Sequence, residues 1–475
     1  LSFIIGQVKA TVNLSSRVFY PIHIILHRHF DSRSRHTKFA PMRKWIPIDC
    51  SDQEVMLARF IHLTGEYEQA IILTDQLEGQ IASYKSLKSL ELLAGFGALH
   101  QFDGAFSELS KEVAEKDWYL GFLSYDLKDE LHPLPSHADA PRIDFPKLWF
   151  FRPQWLIKAA HGECLLGYDP QCDNEETARQ FLQHMHSIQL QEATSHQKTE
   201  LQPSVSESDY IRTVEAIQDH IHRGDIYEIN FCMEFTAENS DIHPQQTFLS
   251  ILKQTAMPFS AFVKKGRKYV LSASPERYLK KTGRQIVSMP MKGTAPRGAD
   301  KEADSINLHK LTHSVKERAE NIMITDLVRN DLSMVAQKGT VEVIELCGAY
   351  PFPHVFQVVS TVEATLKKEG DWADAIAATF PMGSMTGAPK HRAMQLIDRF
   401  ENHQRGLFSG AIGYITPEKD FDFSVVIRTL LYDEAAKSLS YSAGSAITAL
   451  SDPGQEYKEC LLKAATVRNI LAGTV

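Results

Sequence analysis

Cysteine is scarce and scattered. The six residues Cys50, Cys164, Cys172, Cys232, Cys347 and Cys460 show no CxxC or other metal-ligand spacing, which excludes a zinc module. In a chain of 475 residues they point to reduced thiols in a cytoplasm rather than to a disulfide framework. No run approaches the roughly 18 consecutive apolar residues of a spanning helix, since even Val18 to Leu26 is broken by Pro21 and His23. No membrane partner is expected. Basic blocks and aromatic-basic stripes are also missing, and 51 Lys plus Arg against 59 Asp plus Glu leave a formal charge of -8. Nucleic acid needs phosphate-neutralising charge, so it is excluded as a partner. Repeats of fixed period are absent too. What is present is ordinary globular composition, 43% hydrophobic, enough for a sizeable core.

Composition divides the chain. Residues 1–41 carry one acid, Asp31, and a tract from His27 to Lys38 crowded with His and Arg. They read as an upstream extension, with the native start expected at Met42. From there to about Pro170, short apolar runs such as Ala70 to Leu73 and Trp118 to Tyr125 alternate with helical stretches, and Asn174 to Leu190 reads as a helix. The polar, aperiodic segment Gln191 to Ser208 marks the expected boundary between regions 42–205 and 206–475. Ser208 is the expected cap of the next helix. A period-two strand then sets Tyr227, Ile229, Phe231, Met233 and Phe235 against Glu228, Asn230, Cys232 and Glu234. Further strands are expected at Tyr269–Ser274, Gly410–Ile415, Phe421–Leu431 and Leu439–Ala443, and helices at Ser314–Val328, Pro389–Phe400 and Pro453–Leu471. The pattern predicts an α+β sandwich of antiparallel sheets with helices packed outside.

Several segments of the second half place polar groups where folding alone does not demand them. Glu276, in Ser274-Pro275-Glu276-Arg277, ends an apolar strand where a general acid would serve. Lys292, in Met291-Lys292-Gly293-Thr294, follows an apolar strand; in a dry pocket its pKa would fall and its neutral amine become a nucleophile. Glu320 lies on a helix with an expected buried stripe of Ala319, Ile322, Met323 and Leu327. Asp452 and Pro453 open the C-terminal helix, where Glu456, Glu459 and Lys463 share a face. Carboxylates from two helices can hold one Mg²⁺. Gly383 to Lys390 opens a helix that could receive an anion, but it is not a Walker A motif, because only three residues separate its glycines.

The order and spacing of SPER, MKGTAPRG, ERAENIMITDLVRNDL, GSMTGAPKHRAMQLID, SGAIGYI, VVIRT, SAGSAIT and EYKECLLKA over residues 206–471 resemble the chorismate-binding enzymes. These are the component I chains of anthranilate and aminodeoxychorismate synthases, with isochorismate and salicylate synthases as relatives. The string from Trp118 to Glu130 is similar to the N-terminal region of component I chains. The resemblance implies chorismate as substrate, Mg²⁺ on Glu320 and Glu459 with Glu456 as a further candidate, and Glu276 as the acid for the departing 4-hydroxyl. Gly293, Thr294, Ser384, Tyr414, Arg428, Gly444, Ser445, Ala446 and Lys463 are implied to bind the substrate. Isochorismate and salicylate synthases carry a lysine base where this chain has Glu228, which argues against water activation. Anthranilate enzymes usually have a small residue where this chain has Lys292, whereas aminodeoxychorismate synthases have lysine.

The implied reaction is therefore amination of chorismate at C4 through a covalent Lys292 intermediate, giving 4-amino-4-deoxychorismate for para-aminobenzoate and folate. The rivals are the anthranilate reaction and a catalytically inactive regulatory binding protein. No G-x-C-x-G nucleophile elbow occurs, so the resemblance implies ammonia from a separate glutamine amidotransferase subunit. Gln357 replaces a frequent His, Ala446 a glycine and Glu228 a common Gln. Some relatives bind tryptophan beside a Pro-Phe-Ser segment, here Pro258-Phe259-Ser260; no matching N-terminal segment is found in residues 42–130, so tryptophan feedback is not expected.

Overall fold

Side chains that alternate along each strand sort into different apolar layers. The computed structural model describes residues 43–50, 52–75, 90–134, 138–190, 198–368 and 372–474. The expected extension at 1–41 lies outside them. The first strands are β1 (Lys44–Pro47), β2 (Gln69–Thr74), β3 (Leu92–Phe102), β4 (Tyr119–Leu123), β5 (Leu148–Ala160) and β6 (Glu163–Tyr168). There follow β7 (Gln202–Pro203), β8 (Glu228–Ala237), β9 (Phe259–Lys265), β10 (Lys268–Ser274), β11 (Arg277–Thr282), β12 (Gln285–Met289) and β13 (Met291–Pro296). The last are β14 (Glu342–Pro351), β15 (Val355–Thr365), β16 (Gly387–Ala388), β17 (Ala411–Ile415), β18 (Phe421–Val425), β19 (Thr429–Asp433) and β20 (Ser438–Ile447).

The pairing is antiparallel and continuous. One limb runs β8–β20–β19–β10–β9–β2–β3, the other β4–β17–β18–β11–β12–β15. The 13-residue β5 joins them by pairing with both β3 and β4, as a strand does at the corner of a sandwich. Between the limbs lies an apolar layer holding Ile71, Leu120, Phe122, Val263, Val270 and Ile412. The neighbours Ile72, Phe262 and Leu271 point to the opposite face, against Phe60, Val214 and Cys460 of three helices. On the second limb Tyr119, Leu123, Ala411 and Ile415 face Ile324, Val328 and Trp372. Helix, sheet, sheet, helix is the α+β sandwich expected from the sequence. Among the described residues no helix is long and apolar enough to cross a membrane.

Four expectations need correction. Residues 191–208 do not separate two folding units: β2 pairs with β9 and β4 with β17 across that connection, and 42–475 forms one unit. Ser206, not Ser208, caps the helix Glu207–His222, its hydroxyl accepting from the Asp209 amide at 3.2 Å. Phe421–Leu431 is two strands, because the chain leaves one limb for the other at Arg428, whose φ of 51° no strand tolerates. Tyr227 is 64% exposed and not in the core, whereas Glu228 is 0% exposed. The strand lies buried on both faces from Glu228 to Phe235, so alternation does not separate core from solvent there.

Candidate active site

Two passages between the limbs build one side of the site. Ser274 to Arg277 carries the chain from β10 to β11, and Val426 to Arg428 carries it from β18 to β19. They lie side by side: Ala273 N donates to Arg428 O at 3.2 Å, and Val425 N to Glu276 O at 3.0 Å. Arg277, fully buried, fastens the first passage by two bonds to Asp422 at 2.9 and 3.0 Å and by packing on Phe259. Glu276 is thereby held 4% exposed. Burial pushes its carboxyl up to about 7, although the Ser384 hydroxyl and the Lys292 charge oppose part of the rise. The buried Ser384 Oγ completes no hydrogen bond of good geometry but lies close enough to Glu276 to act on it.

The other walls are β13, β8 and the helix Val315–Val335. Asn321 on that helix holds β13 in place, its Nδ2 donating to Lys292 O at 3.4 Å and Val358 O at 3.3 Å. Gly293 has φ +98°, and a Cβ there would stand 3.0 Å from Glu317 Oε2, so the turn that presents Lys292 needs glycine. Thr294 donates to Gln357 at 3.0 Å, which gives the unusual Gln357 a structural partner. Over β8, Gly387 lets the Gly383 to Lys390 segment approach closely: a Cβ at Gly387 would stand 2.2 Å from Glu228 O.

At the centre, Lys292 Nζ lies 3.3 Å from Glu228 Oε1. Burial works to lower the pKa of this amine, but Glu228, Glu320 and Glu276 outweigh it and hold the pKa above the ordinary lysine value. The sequence reading expected a lowered pKa. It is overturned in the free site because Glu228, a residue it did not pair with the lysine, supplies a counter-charge. Burial also raises Glu228 against the opposing Lys292 charge, and raises Glu320 to about 8, with Lys292 opposing.

The carboxylates outnumber the cations beyond this pair. Lys316 Nζ stands 3.2 Å from Glu456 and 3.9 Å from Glu320, and Lys463 Nζ is 2.6 Å from Glu459 and 2.7 Å from Gly444 O. Burial disfavours ionisation of Glu459, yet Lys463 and the other lysines bring its pKa below the usual value. Among the described residues no three acidic, His or Cys side chains form a ready metal cage. Glu320 Oε1, however, is buried without a hydrogen-bond partner. Two oxygen donors from separate helices, one of them unsatisfied, suit a hard divalent cation that completes its shell from water and substrate.

Not every expected residue joins this group. Tyr414 faces the inter-limb layer, packs on Trp118 with ring centroids 5.7 Å apart, and lines a separate cavity of about 60 Å³ with Leu73, Asp75, Pro258 and Phe259. Its partner in β17, Ile412, points the same way, as alternation requires. Ser445 turns from the site to bond Tyr210 OH at 3.0 Å, while Gly444 and Ala446 pair with Cys232 and Asn230 of β8. Arg428 forms no ion pair among the described residues; its guanidinium lies 3.8 Å from Met257 Sδ and near Tyr441, and burial lowers its pKa. A guanidinium so placed favours an incoming anion. Sequence reasoning missed Asn321 and Lys316, although Asn321 falls within the ERAENIMITDLVRNDL string and Lys316 within the expected helix Ser314–Val328. Their polar character on a helix was the available signal.

The sequence model of the chorismate binding enzymes matches residues 60–469. The chain belongs to the chorismate binding enzyme family. Within the family it is 38% identical over 344 residues to the aminodeoxychorismate synthase component 1 of Klebsiella aerogenes, covering 72% of this chain and 74% of that one. It is 33% identical over 356 residues to the anthranilate synthase component 1 of Thermus thermophilus, covering 73% and 75%. The crystal structure of anthranilate synthase component I from Streptococcus pneumoniae shares the fold, with a TM-score of 0.68 and 21% identity over 92% of this chain and 94% of that one. The family match begins well before residue 206, in keeping with strands shared across the expected boundary.

Proposed function

We propose that the chain is component I of an aminodeoxychorismate synthase, aminating chorismate at C4 with Lys292 as covalent nucleophile. The observation that carries this reading is a lysine amine facing a carboxyl of raised pKa, Glu276, and a carboxylate with an unsatisfied oxygen, Glu320. The similarity to the Klebsiella aerogenes protein supports it. Lys292 adds at C2 of the ring as the 4-hydroxyl departs, and Glu276, protonated near neutral pH, gives that hydroxyl its proton. Ammonia then adds at C4 and expels the lysine. Arg428 and Lys463 hold the carboxylates of the dianion, with Thr294 and the strand around Gly444 shaping its seat. Mg²⁺ bound by Glu320 and Glu459 would supply Lewis-acid polarisation of the ring carboxylate.

Ammonia comes, on this reading, from a separate glutamine amidotransferase. The test is incubation with chorismate, Mg²⁺ and an ammonium salt. The expected product is 4-amino-4-deoxychorismate, with no activity on glutamine until an amidotransferase is added. Fluorescent anthranilate instead would favour the activity named for the Thermus thermophilus relative, and failure to consume chorismate would favour a binding role.

A further inference from the structure

Three buried glutamates on this side of the fold differ in how they are satisfied. Glu401 accepts from Arg405 at 2.6 and 2.8 Å and from the Cys232 amide at 2.9 Å. Glu234 accepts from Ser440 at 2.6 Å and lies 3.4 Å from Arg142. Glu228, on the same strand as Glu234 and 0% exposed, has no hydrogen bond of good geometry to either carboxylate oxygen. Its charge is answered by Lys292 Nζ at 3.3 Å. A carboxylate retained only for folding would be hydrogen-bonded when buried; this one is arranged around a single amine.

We propose that Glu228 keeps the Lys292 amine charged in the free enzyme and takes its proton in the substrate complex, so that the nucleophile is latent until chorismate is bound. The inference rests on the amination reading for its second half only. Lys292 is faced by Glu228 from β8, Glu276 from the passage between limbs, Glu317 and Glu320 from the helix Val315–Val335, and Glu459 from the C-terminal helix. Of these, Glu228 is the one within ion-pair distance of its nitrogen among the described residues. A dianion seated in the pocket excludes water, and a dry ion pair is destabilised relative to its neutral form. The Lys292 ammonium then gives one proton to the Glu228 carboxylate. Its lone pair forms the N–C2 bond, the C4–O bond breaks, and the oxygen leaves as water with the Glu276 proton. When ammonia has formed the C4–N bond, the N–C2 bond breaks, its electron pair returns to Lys292, and Glu228 returns the proton. Glu276 is reprotonated from the new C4 ammonium. Chorismate plus ammonia has then become aminodeoxychorismate plus water.

The experiment is competitive acetylation of the full chain across pH, with Lys292 reactivity read by peptide mass spectrometry. In the wild type Lys292 should titrate above ordinary lysines. In Glu228→Gln, with the nearest counter-charge gone and burial unopposed by it, the titration should move down by at least about one pH unit. Glu228→Asp, which keeps the charge, should stay near the wild type. The acid limb of Lys292 adduct formation with chorismate should move down with the titration in Glu228→Gln. An unmoved Lys292 titration in Glu228→Gln, with Glu228→Asp as the folded reference, overturns the proposal whatever the protein catalyses. A shifted titration with no adduct in any variant leaves the charge-holding role standing, and instead defeats both the proton-return step and the amination reading.

Discussion

Glu276 is the residue at which function and stability oppose each other most directly. Its folded-state pKa is raised to about 7 by burial, so the native state binds a proton more tightly than the unfolded chain. Stability from this group is fully present below the unfolded carboxyl value and is lost as pH rises through about 7. Glu276→Gln removes the buried charge, and should stabilise the protein at pH 8 by on the order of 3 kcal/mol in urea unfolding, while leaving it unchanged at pH 4. The same substitution should slow turnover by roughly 10²–10⁴-fold. Wild-type kcat/KM should fall as pH rises through about 7, because the acid must be protonated in the free enzyme. A variant that is neither more stable at pH 8 nor slower would place Glu276 outside the chemistry.

At the scale of elements, the strands were legible and the functional helix faces were not. Period-two alternation located most strands because each limb has apolar layers on both sides. The stripe assigned to the helix Val315–Val335 was rotated: Ala319 and Ile322 are exposed, and Glu320, Asn321, Thr325 and Asp331 are buried with Ile324, Leu327, Val328 and Leu332. Polar residues needed at the site displaced the apolar periodicity from which a buried face is inferred. Glu276, Lys292 and Glu320 were recognisable from their motifs, whereas the pairing of Lys292 with Glu228 required the fold, since 64 positions separate them. The passages between limbs depend on Arg277 and Asp422. Asp422→Ala removes the carboxylate that accepts two bonds from a fully buried guanidinium, and should cost about 3–5 kcal/mol of stability. Chemical denaturation measures this; a loss under about 1 kcal/mol would show that the passage is held by packing alone.

For the whole molecule, the sheet path decides what folds as a unit. The polar composition of 191–208 suggested a boundary, but the strand pairs β2–β9 and β4–β17 cannot be anticipated from local composition, because they join residues far apart in sequence. A fragment of residues 206–475 would leave β9 and β17 with open edges, a state prone to aggregation. Expressed alone it should not give a soluble, cooperatively unfolding protein; a soluble fragment with a single sharp transition would restore the two-region view. The same continuity places the two passages, and hence Glu276 and Arg428, between limbs that must both be present.

The central claim is that the Lys292 nitrogen bonds to the substrate ring. Mass spectrometry of the intact protein, mixed with chorismate and Mg²⁺ but no ammonia, tests it most directly. The account predicts an added mass of chorismate less one water, mapping to Lys292, absent in Lys292→Ala and discharged on adding ammonium. Steady formation of 4-amino-4-deoxychorismate by Lys292→Ala at the wild-type rate, with no adduct on the wild type, would contradict it.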